Sequence, residues 1–330
     1  MSVQVQGSIE QRRHLIDEPT RVGAARRDAQ QLAREQGLND TLVGRVGIIA
    51  TELANNLLQH GGGGELLLQP IVTADSRAIE VLAIDRGPGM GNVDSCLRDG
   101  FSTAGTSGTG LGAVRRLAVE FDLHSVVGEG TVVMARIGSL CSQRFGAVSI
   151  SMPGELICGD RWQLAADGEQ MAAIVIDGLG HGPLAAEAAI CSAKAFLQAP
   201  FDPPHSVIER AHRSMVGTRG AAAACMRTDR QGRVCYAGVG NIAGSMISAE
   251  KSQGLASHNG TLGVRLPRMR QFEYQRPSNS IFVMHSDGLS GRWDLARKDG
   301  LLHRHPAVIA AVLYRDHRRE RDDATVLVFG

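Results

Sequence analysis

The chain has 330 residues, 43% of them hydrophobic and 21% charged, with a net charge of +1. These are globular values that exclude a disordered chain and allow two domains of ordinary size. A balance so near zero gives no electrostatic basis for nucleic acid or an acidic membrane, and no apolar run is long enough to span a bilayer.

The six cysteines form neither a Cys-x-x-Cys motif nor a paired framework, so reduced thiols in a cytoplasmic protein are expected. Nothing in the opening MSVQVQGSIEQRRH has the apolar core of a signal peptide. Lys194, Lys251 and Lys298 are the only lysines, which restricts any mechanism that needs one.

Along the chain, Val3 and Val5 alternate weakly and predict an edge strand. Val22, Ala25, Ala29, Leu32 and Ala33 recur at helical spacing until Gly37 stops the element. A second helix is predicted over residues 39–59. In it Glu52, Asn56 and His60 stand four apart on one face, while Leu53 and Leu57 lie on a neighbouring apolar face. A solvated polar stripe accounts for such a pair as well as a working face does, although Asn55-Asn56 in mid-helix costs propensity. His60 reads as a cation at the helix C-terminus.

Four glycines, 61 to 64, lead to a strand over residues 65–72, and Val81-Leu82-Ala83-Ile84 is a buried-strand pattern that delivers Asp85 to a sheet edge. There a carboxylate can accept a hydrogen bond from an adenine amino group. Gly87 and Gly89 let the backbone come close to a ligand. After a spacer rich in Ser, Thr and Gly, Gly108, Gly110 and Gly112 free backbone N–H groups at a helix start, which favours phosphate. Taken alone, an ordinary glycine-rich loop explains the same residues.

Three motifs in order narrow this: Glu52 with Asn56, Asp85-Arg86-Gly87-Pro88-Gly89, and Gly108-Thr109-Gly110-Leu111-Gly112. Their order and spacing resemble the GHKL ATP-binding fold of histidine kinases, Hsp90, gyrase and anti-sigma kinases. The run through Arg98-Asp99-Gly100-Phe101-Ser102-Thr103 to Gly112-Ala113-Val114-Arg115-Arg116-Leu117 is similar to the RsbT-type stressosome serine kinases. The resemblance covers residues 1–137 and implies ATP and magnesium as cofactors. It implies that Asn56 holds magnesium against the triphosphate, that Glu52 orients or deprotonates the attacking hydroxyl, and that Asp85 reads adenine. Gly87 and Gly89, with Ser102, Thr103, Gly108, Thr109, Gly110, Leu111 and Gly112, would enclose the nucleotide. No lysine stands in the lid, so Arg86, Arg98 or Arg115 would supply any cationic contact.

Residues 138–144 read as a polar linker. Beyond it, strands are predicted over residues 147–152 and 162–166, flanking Gly159-Asp160. The apolar run 171–176 ends in Asp177-Gly178-Leu179-Gly180-His181-Gly182, followed by an Ala-rich helix from Pro183 to Leu197. The run 280–285 ends in Ser286-Asp287-Gly288, and Asp322-Asp323-Ala324-Thr325 precedes the last strand. Any single Asp-Gly is explained by a turn. Several carboxylates at sheet ends repel one another unless a cation neutralises them, and oxygen-only ligands select magnesium or manganese.

Gly159-Asp160, Asp177 to Gly182, Ser286 to Gly288 and Asp322 to Thr325 resemble the metal-dependent protein phosphatases (PPM), in the branch of sporulation stage II protein E and RsbX. The resemblance covers residues 145–330. It implies that Asp177 bridges two metals, that the Gly178 carbonyl binds one, and that Asp287 and Asp322 complete the other. Asp160 would act directly or through water, with Asp323 behind the ligands. His181 is either a proton donor to the leaving group or a structural loop histidine. Arg161 is the available candidate for gripping phosphate. A basic cluster around residues 303–305 and 315–321 reads as a solvated helix end.

The expected class is therefore α+β: a GHKL α/β sandwich, with helices on one face of a mixed sheet, then a PPM-type β-sandwich flanked by helices. The expected function is a bifunctional partner-switching regulator, a serine/threonine kinase joined to a phosphatase acting on a STAS-type antagonist or scaffold protein. A downstream regulator bound by the GHKL domain is a further expected partner. The alternative is a phosphatase gated by a non-catalytic ATP- or partner-binding module, against which the retained Glu52 argues. An Hsp90-like ATPase cycle lacks a long middle domain to move.

Overall fold

The helical spacing of apolar residues in the first half places two helices side by side on a sheet, and alternation in the strands decides which face they cover. These features are seen in a computed structural model that describes residues 3–6, 11–73, 76–97, 110–139, 143–266 and 268–330. Gln11–Ser142 forms one compact unit, and Gln143–Gly330 with the strand β1 (Val3–Gln6) forms the other.

The first unit runs β2 (Arg12–Ile16), α1 (Pro19–Glu35), α2 (Asp40–His60), β3 (Gly64–Val72), β4 (Arg77–Ile84), α3 (Val93–Cys96), α4 (Gly110–Leu117), β5 (Glu120–Val126) and β6 (Gly130–Gly138). Its sheet has the order β3-β4-β6-β5 with β2 beside β3, and each of these pairings, expected within a mixed sheet, is antiparallel. Pro19 at the first turn starts α1, and Asn39 caps α2 by accepting a hydrogen bond from the Leu42 N–H at 3.0 Å. Val22, Ala25, Ala29 and Leu32 of α1 and Val46, Ile49, Leu53 and Leu57 of α2 are buried against Leu66, Leu68, Ile79, Val81 and Ala83. The strand residues lie two apart, as one face of a pleated sheet requires. A methyl group on Gly47 would stand 2.6 Å from Gln30, so glycine there lets α2 approach α1.

On the other face, one row of polar residues crosses four strands: Gln69 pairs with Glu80, Glu80 with Arg136, and Arg136 with Glu120. Arg136, 2% exposed, donates to Glu80 at 2.7 Å and to Glu120 at 3.0 Å, and Gln69 donates to Glu80 at 2.5 Å. The charges satisfy one another, which is the condition for tolerating them in a dry place.

The second unit is a sandwich. Its strands are β7 (Phe145–Ile150), β8 (Asp160–Asp167), β9 (Gln170–Gly178), β10 (Ala221–Thr228), β11 (Arg233–Val239), β12 (Ala243–Ile247), β13 (Ser252–Leu255), β14 (Phe272–Gln275), β15 (Ile281–His285) and β16 (Ala324–Phe329). Its helices are α5 (Pro183–Gln198), α6 (Pro204–Ser214) and α7 (Pro306–His317). One sheet has the order β14-β11-β10-β9-β8-β1 and the other β13-β12-β15-β16-β7. Phe145 and Trp162 meet between the sheets with ring centroids 5.8 Å apart.

Small side chains let the outer helices lie close. Ala188, Ala189 and Ala193 of α5 and Val207, Ile208 and Ala211 of α6 pack on Ala172, Ile174, Ile176, Ala223 and Cys225. On the far side α7 is buried over most of its length. A Cβ on Gly146 of β7 would come within 2.0 Å of Ala307. Among the described residues, no helix is long and apolar enough to cross a membrane.

The weak alternation of Val3 and Val5 does give a strand, β1, and it pairs with β8, Val3 opposite Ala166 and Gln6 opposite Gln163. The physical reason is that β8 otherwise ends this sheet with a row of unpaired backbone groups.

The polar row generates a stability prediction. Arg136→Met leaves Glu80 buried without its cation and is expected to cost about 3–5 kcal/mol in urea unfolding. The double variant Arg136→Met with Glu80→Leu should recover most of that loss. Equal destabilisation in both would overturn the account.

Candidate functional site

Two groups of sequence-predicted residues come together, one in each unit. In the first, α2 carries Glu52 and Asn56 one turn apart, with Leu53 and Leu57 buried on the packing face. The first residue of α4 comes down on them: a Cβ on Gly110 would lie 3.3 Å from Glu52 Oε2 and 3.5 Å from Asn56 Oδ1. The Asn56 Nδ2 amide is buried and has no hydrogen-bond partner among the described residues. A buried donor left unpaired costs stability, so this amide is a group waiting for an acceptor.

Asp85 follows β4. Its Oδ1 accepts hydrogen bonds from the Gly87 N–H at 2.8 Å and the Thr131 N–H at 3.0 Å, while its own N–H donates to the Thr131 carbonyl at 2.9 Å. The turn is wedged between neighbours that leave no room for side chains. A Cβ on Gly87 would stand 2.8 Å from Gly61 Cα, and one on Gly89, where φ is +71°, would stand 2.1 Å from the Val126 carbonyl oxygen. The glycines are therefore required by close approach of the backbone as well as by any ligand.

Of the expected nucleotide residues, Glu52, Asn56, Asp85, Gly87, Gly89, Gly110, Leu111 and Gly112 are described. Leu111 packs against the core, leaving only its backbone for a ligand, and Gly112 is buried in the first turn of α4. Ser102, Thr103, Gly108 and Thr109 lie outside the described residues, as does Arg98. Arg86 and Arg115 are exposed. Sequence reading missed Thr131, whose hydroxyl shares a 2.8 Å hydrogen bond with Ser125. The signal was present in Gly130, where a Cβ would stand 2.2 Å from the Asp85 carbonyl oxygen.

In the second unit, antiparallel register sets Asp160 at the start of β8 directly opposite Asp177 near the end of β9. Directly opposed residues share a face and sit close together. From the other sheet, Asp287 follows β15 and Asp322 and Asp323 precede β16, two strands that pair with each other. Both sheets thus send carboxylates to one end of the sandwich. Ser286 Oγ donates to Asp160 Oδ2 at 2.6 Å, and the exposed Asn241 donates to Asp287 Oδ2 at 2.6 Å.

Burial holds the Asp177 carboxyl well above its usual range, and the charges of Asp160, Asp287 and Asp322 push it further. Asp160 is raised by burial and by Asp323 and Asp322, against the pull of the Ser286 hydroxyl. Asp322 is raised by burial and then by Asp287. Among the described residues no three His, Cys, Asp or Glu side chains meet as a closed ion-binding group. Desolvated carboxylates that repel one another are nevertheless a donor set that fits a hard divalent cation. Asp160, Asp177, Asp287 and Asp322 could hold it, with the Gly178 carbonyl beside them.

Asp323 does something else. It accepts the Met152 and Gly159 N–H groups at 2.7 Å each, tying the connection between β7 and β8 to the start of β16. Glycine is required next to the ligands, since a Cβ on Gly178 would stand 2.2 Å from the Ala185 carbonyl oxygen and one on Gly288 1.8 Å from the Asp323 carbonyl oxygen. His181 Nδ1 meets Glu155 Oε1 at 2.6 Å, which fixes the ring and leaves Nε2 to act. Arg161, the expected phosphate grip, alternates to the opposite face of β8 from Asp160 and is buried opposite Ile176. Asn241 was missed because nothing near it in sequence marks a site.

Two family models match this chain: the histidine kinase-like ATPase domain over residues 15–137, and stage II sporulation protein E (SpoIIE) over residues 167–330. The serine/threonine-protein kinase RsbT of Bacillus subtilis (strain 168) is 36% identical over 112 residues, which span 34% of this chain and 84% of RsbT. The chain belongs to the histidine kinase-like ATPase family, and its second half is similar to SpoIIE. In the second half, the phosphoserine phosphatase RsbX of the same organism is 28% identical over 143 residues, 43% of this chain and 72% of RsbX. A crystal structure of RsbX in complex with magnesium shares the fold, with a TM-score of 0.50, 24% identity, and coverage of 58% of this chain and 96% of its own. A chain from the bacterial stressosome, a modular system adapted to control secondary messenger signalling, is 29% identical with a TM-score of 0.53. That match covers 57% of this chain and 99% of the stressosome chain. The protein is thus an RsbT-like kinase module fused to a PPM-type serine/threonine phosphatase module.

Asp323→Ala would leave the Met152 and Gly159 N–H groups unpaired. It is expected to lower the unfolding free energy of the second unit by about 2–4 kcal/mol. Asp323→Asn, which can satisfy one N–H, should fall between. A loss confined to catalysis, with unchanged unfolding, would show that Asp323 serves the reaction and not the fold.

Proposed function

We propose that the chain adds phosphate to a serine or threonine of a STAS-type regulator with its first unit and removes such phosphate with its second. The reading rests on one observation: each unit contains a polar group that the described residues leave unsatisfied. In the first it is the buried Asn56 amide beside Glu52, and in the second the mutually repelling carboxylates around Asp177. RsbT and RsbX, to which the halves are similar, carry opposed activities by name, a kinase and a phosphatase.

In the kinase unit ATP would bind with its adenine at Asp85 and its phosphates over Asn56 and the start of α4. Magnesium held at Asn56 would neutralise phosphate charge. As the serine oxygen attacks the γ-phosphorus, Glu52 would take its proton and ADP would leave. Such transfer needs positioning and charge neutralisation more than covalent help.

In the phosphatase unit a divalent pair, magnesium or manganese, would supply hydroxide and polarise the phosphoryl group when bound. Ser286 orients Asp160, Asn241 orients Asp287, and Asp323 fixes the connection between β7 and β8. His181, held at Nδ1 by Glu155, would give the proton at Nε2 to the departing serine oxygen. A cytoplasmic setting fits free thiols at Cys96, Cys158, Cys191, Cys225 and Cys235.

With labelled ATP, magnesium and a STAS-domain protein, Asn56→Ala and Asp177→Ala are expected to lose phosphorylation and dephosphorylation respectively, each by at least about 100-fold. Asn56→Ala should keep its nucleotide-free melting temperature within about 2 °C. In metal-stripped protein at neutral pH Asp177→Asn should raise the melting temperature, because a carboxyl whose pKa rises on folding destabilises the folded state above its unfolded pKa, and the amide does not titrate. If label never leaves ATP for protein, the first unit is a binding module that gates the phosphatase.

A further inference from the structure

A phosphatase site made of carboxylates repels the dianionic phosphate it must receive, and a guanidinium at its mouth would add a hydrogen-bonding fork to the charge that a divalent pair supplies. With Arg161 turned to the other face of β8, the structure offers a different arginine. Ala221 at the start of β10 pairs with Gly178, and the Leu179 N–H donates to the Gly220 carbonyl at 2.9 Å. The loop that precedes β10 therefore lies against the Asp177–His181 loop. From it Arg219 reaches over Gly180, where φ is +85°; a Cβ on that glycine would stand 3.0 Å from Arg219 Nη1. Arg219 is exposed and makes no ion pair among the described residues.

Exposed aliphatic side chains stand on the segments around Arg219. The described large aliphatic side chains exposed in this unit are Leu156 (93%), Val216 (69%), Val264 (68%), Leu184 (52%) and Leu179 (44%). All five lie on segments that meet at this end. Leu156 adjoins Glu155, the partner of His181, and Leu179 and Leu184 bracket the Gly180–Gly182 turn. Val216 is on the Arg219 loop, and Val264 Cγ2 would touch a Cβ on Gly220 at 3.2 Å. Exposed aliphatic side chains gathered around an unpaired guanidinium mark a protein-binding surface rather than a small-molecule pocket.

We propose that Arg219 grips the substrate phosphate and that Leu156, Leu179, Leu184, Val216 and Val264 hold the apolar flanks of a phosphoserine segment in a partner protein. The inference rests on the phosphatase reading and names the substrate feature the site selects. A guanidinium fork matches a phosphate by two parallel hydrogen bonds, and here it adds the charge that the carboxylates lack.

The test uses the full chain without added metal and three fluorescent peptides, read by anisotropy. One has phosphoserine flanked by Leu and Val, one has the same sequence with unmodified serine, and one has phosphoserine flanked by Ser and Gly. The first should bind at least about tenfold more tightly than either of the others. Arg219→Ala should abolish the preference for phosphate, and Arg219→Lys should keep part of it. Val216→Asp combined with Val264→Asp should abolish the preference for apolar flanks. The control Arg230→Ala, at an exposed turn between β10 and β11, should change neither preference. Retained phosphate preference in Arg219→Ala, or equal binding of the two phosphopeptides to the wild type, overturns the proposal. Adding manganese separates the two readings. Tight binding without release of phosphate supports the docking surface and sinks the phosphatase assignment. Release that is indifferent to Arg219 sinks the docking surface alone.

Discussion

Four carboxylates that repel one another at the end of a sandwich organise the second half of this protein. Asp160 and Asp177 are forced together by strand register, and Asp287 and Asp322 are brought to the same end by the pairing of β15 with β16. Backbone hydrogen bonds spread over two sheets hold them there, so the fold itself supplies the energy that keeps like charges close. The unfavourable term is what makes the place useful: a cation that relieves it is bound by the whole sandwich. Gly178 and Gly288 serve the same end, since a side chain at Gly178 would push α5 away and one at Gly288 would push away Asp323.

The first unit solves a related problem with space in place of charge. Asp85 is fixed by two N–H donors, and the backbone of Gly61, Gly87 and Gly130 closes around it without side chains. The carboxylate is therefore oriented before any ligand arrives. Glu52 and Asn56 stand on α2, which Asn39 caps and whose following residue, Gly61, abuts Asp85. Preorganised groups of this kind lose little ordering entropy when a nucleotide binds.

Much of this was legible in the residues because the relevant spacing was local. Glu52 and Asn56 share a helical face by being four apart, and each Asp-Gly at the end of an apolar run names the end of a strand. Contacts made by distant partners were not legible. Thr131 meets Asp85 across 46 residues, and Asn241 meets Asp287 across a further 46. Arg161 shows the opposite failure: adjacency to Asp160 suggested a shared task, yet alternation along β8 sends neighbours to opposite faces. Asp323, beside Asp322, differs in the same way, spending both oxygens on backbone N–H groups.

The pairing of Val3–Gln6 with β8 bears on how the polypeptide is made. During synthesis this strand leaves the ribosome before β8, which follows only after the whole of Gln11–Ser142 has emerged. All of Gln11–Ser142 is therefore made while β1 still lacks β8. The second unit then has to pair with a strand made before the whole of the first, and the edge of β8 stays open to other strands until it does. Assembly order, and not only sequence, decides when the eraser becomes whole.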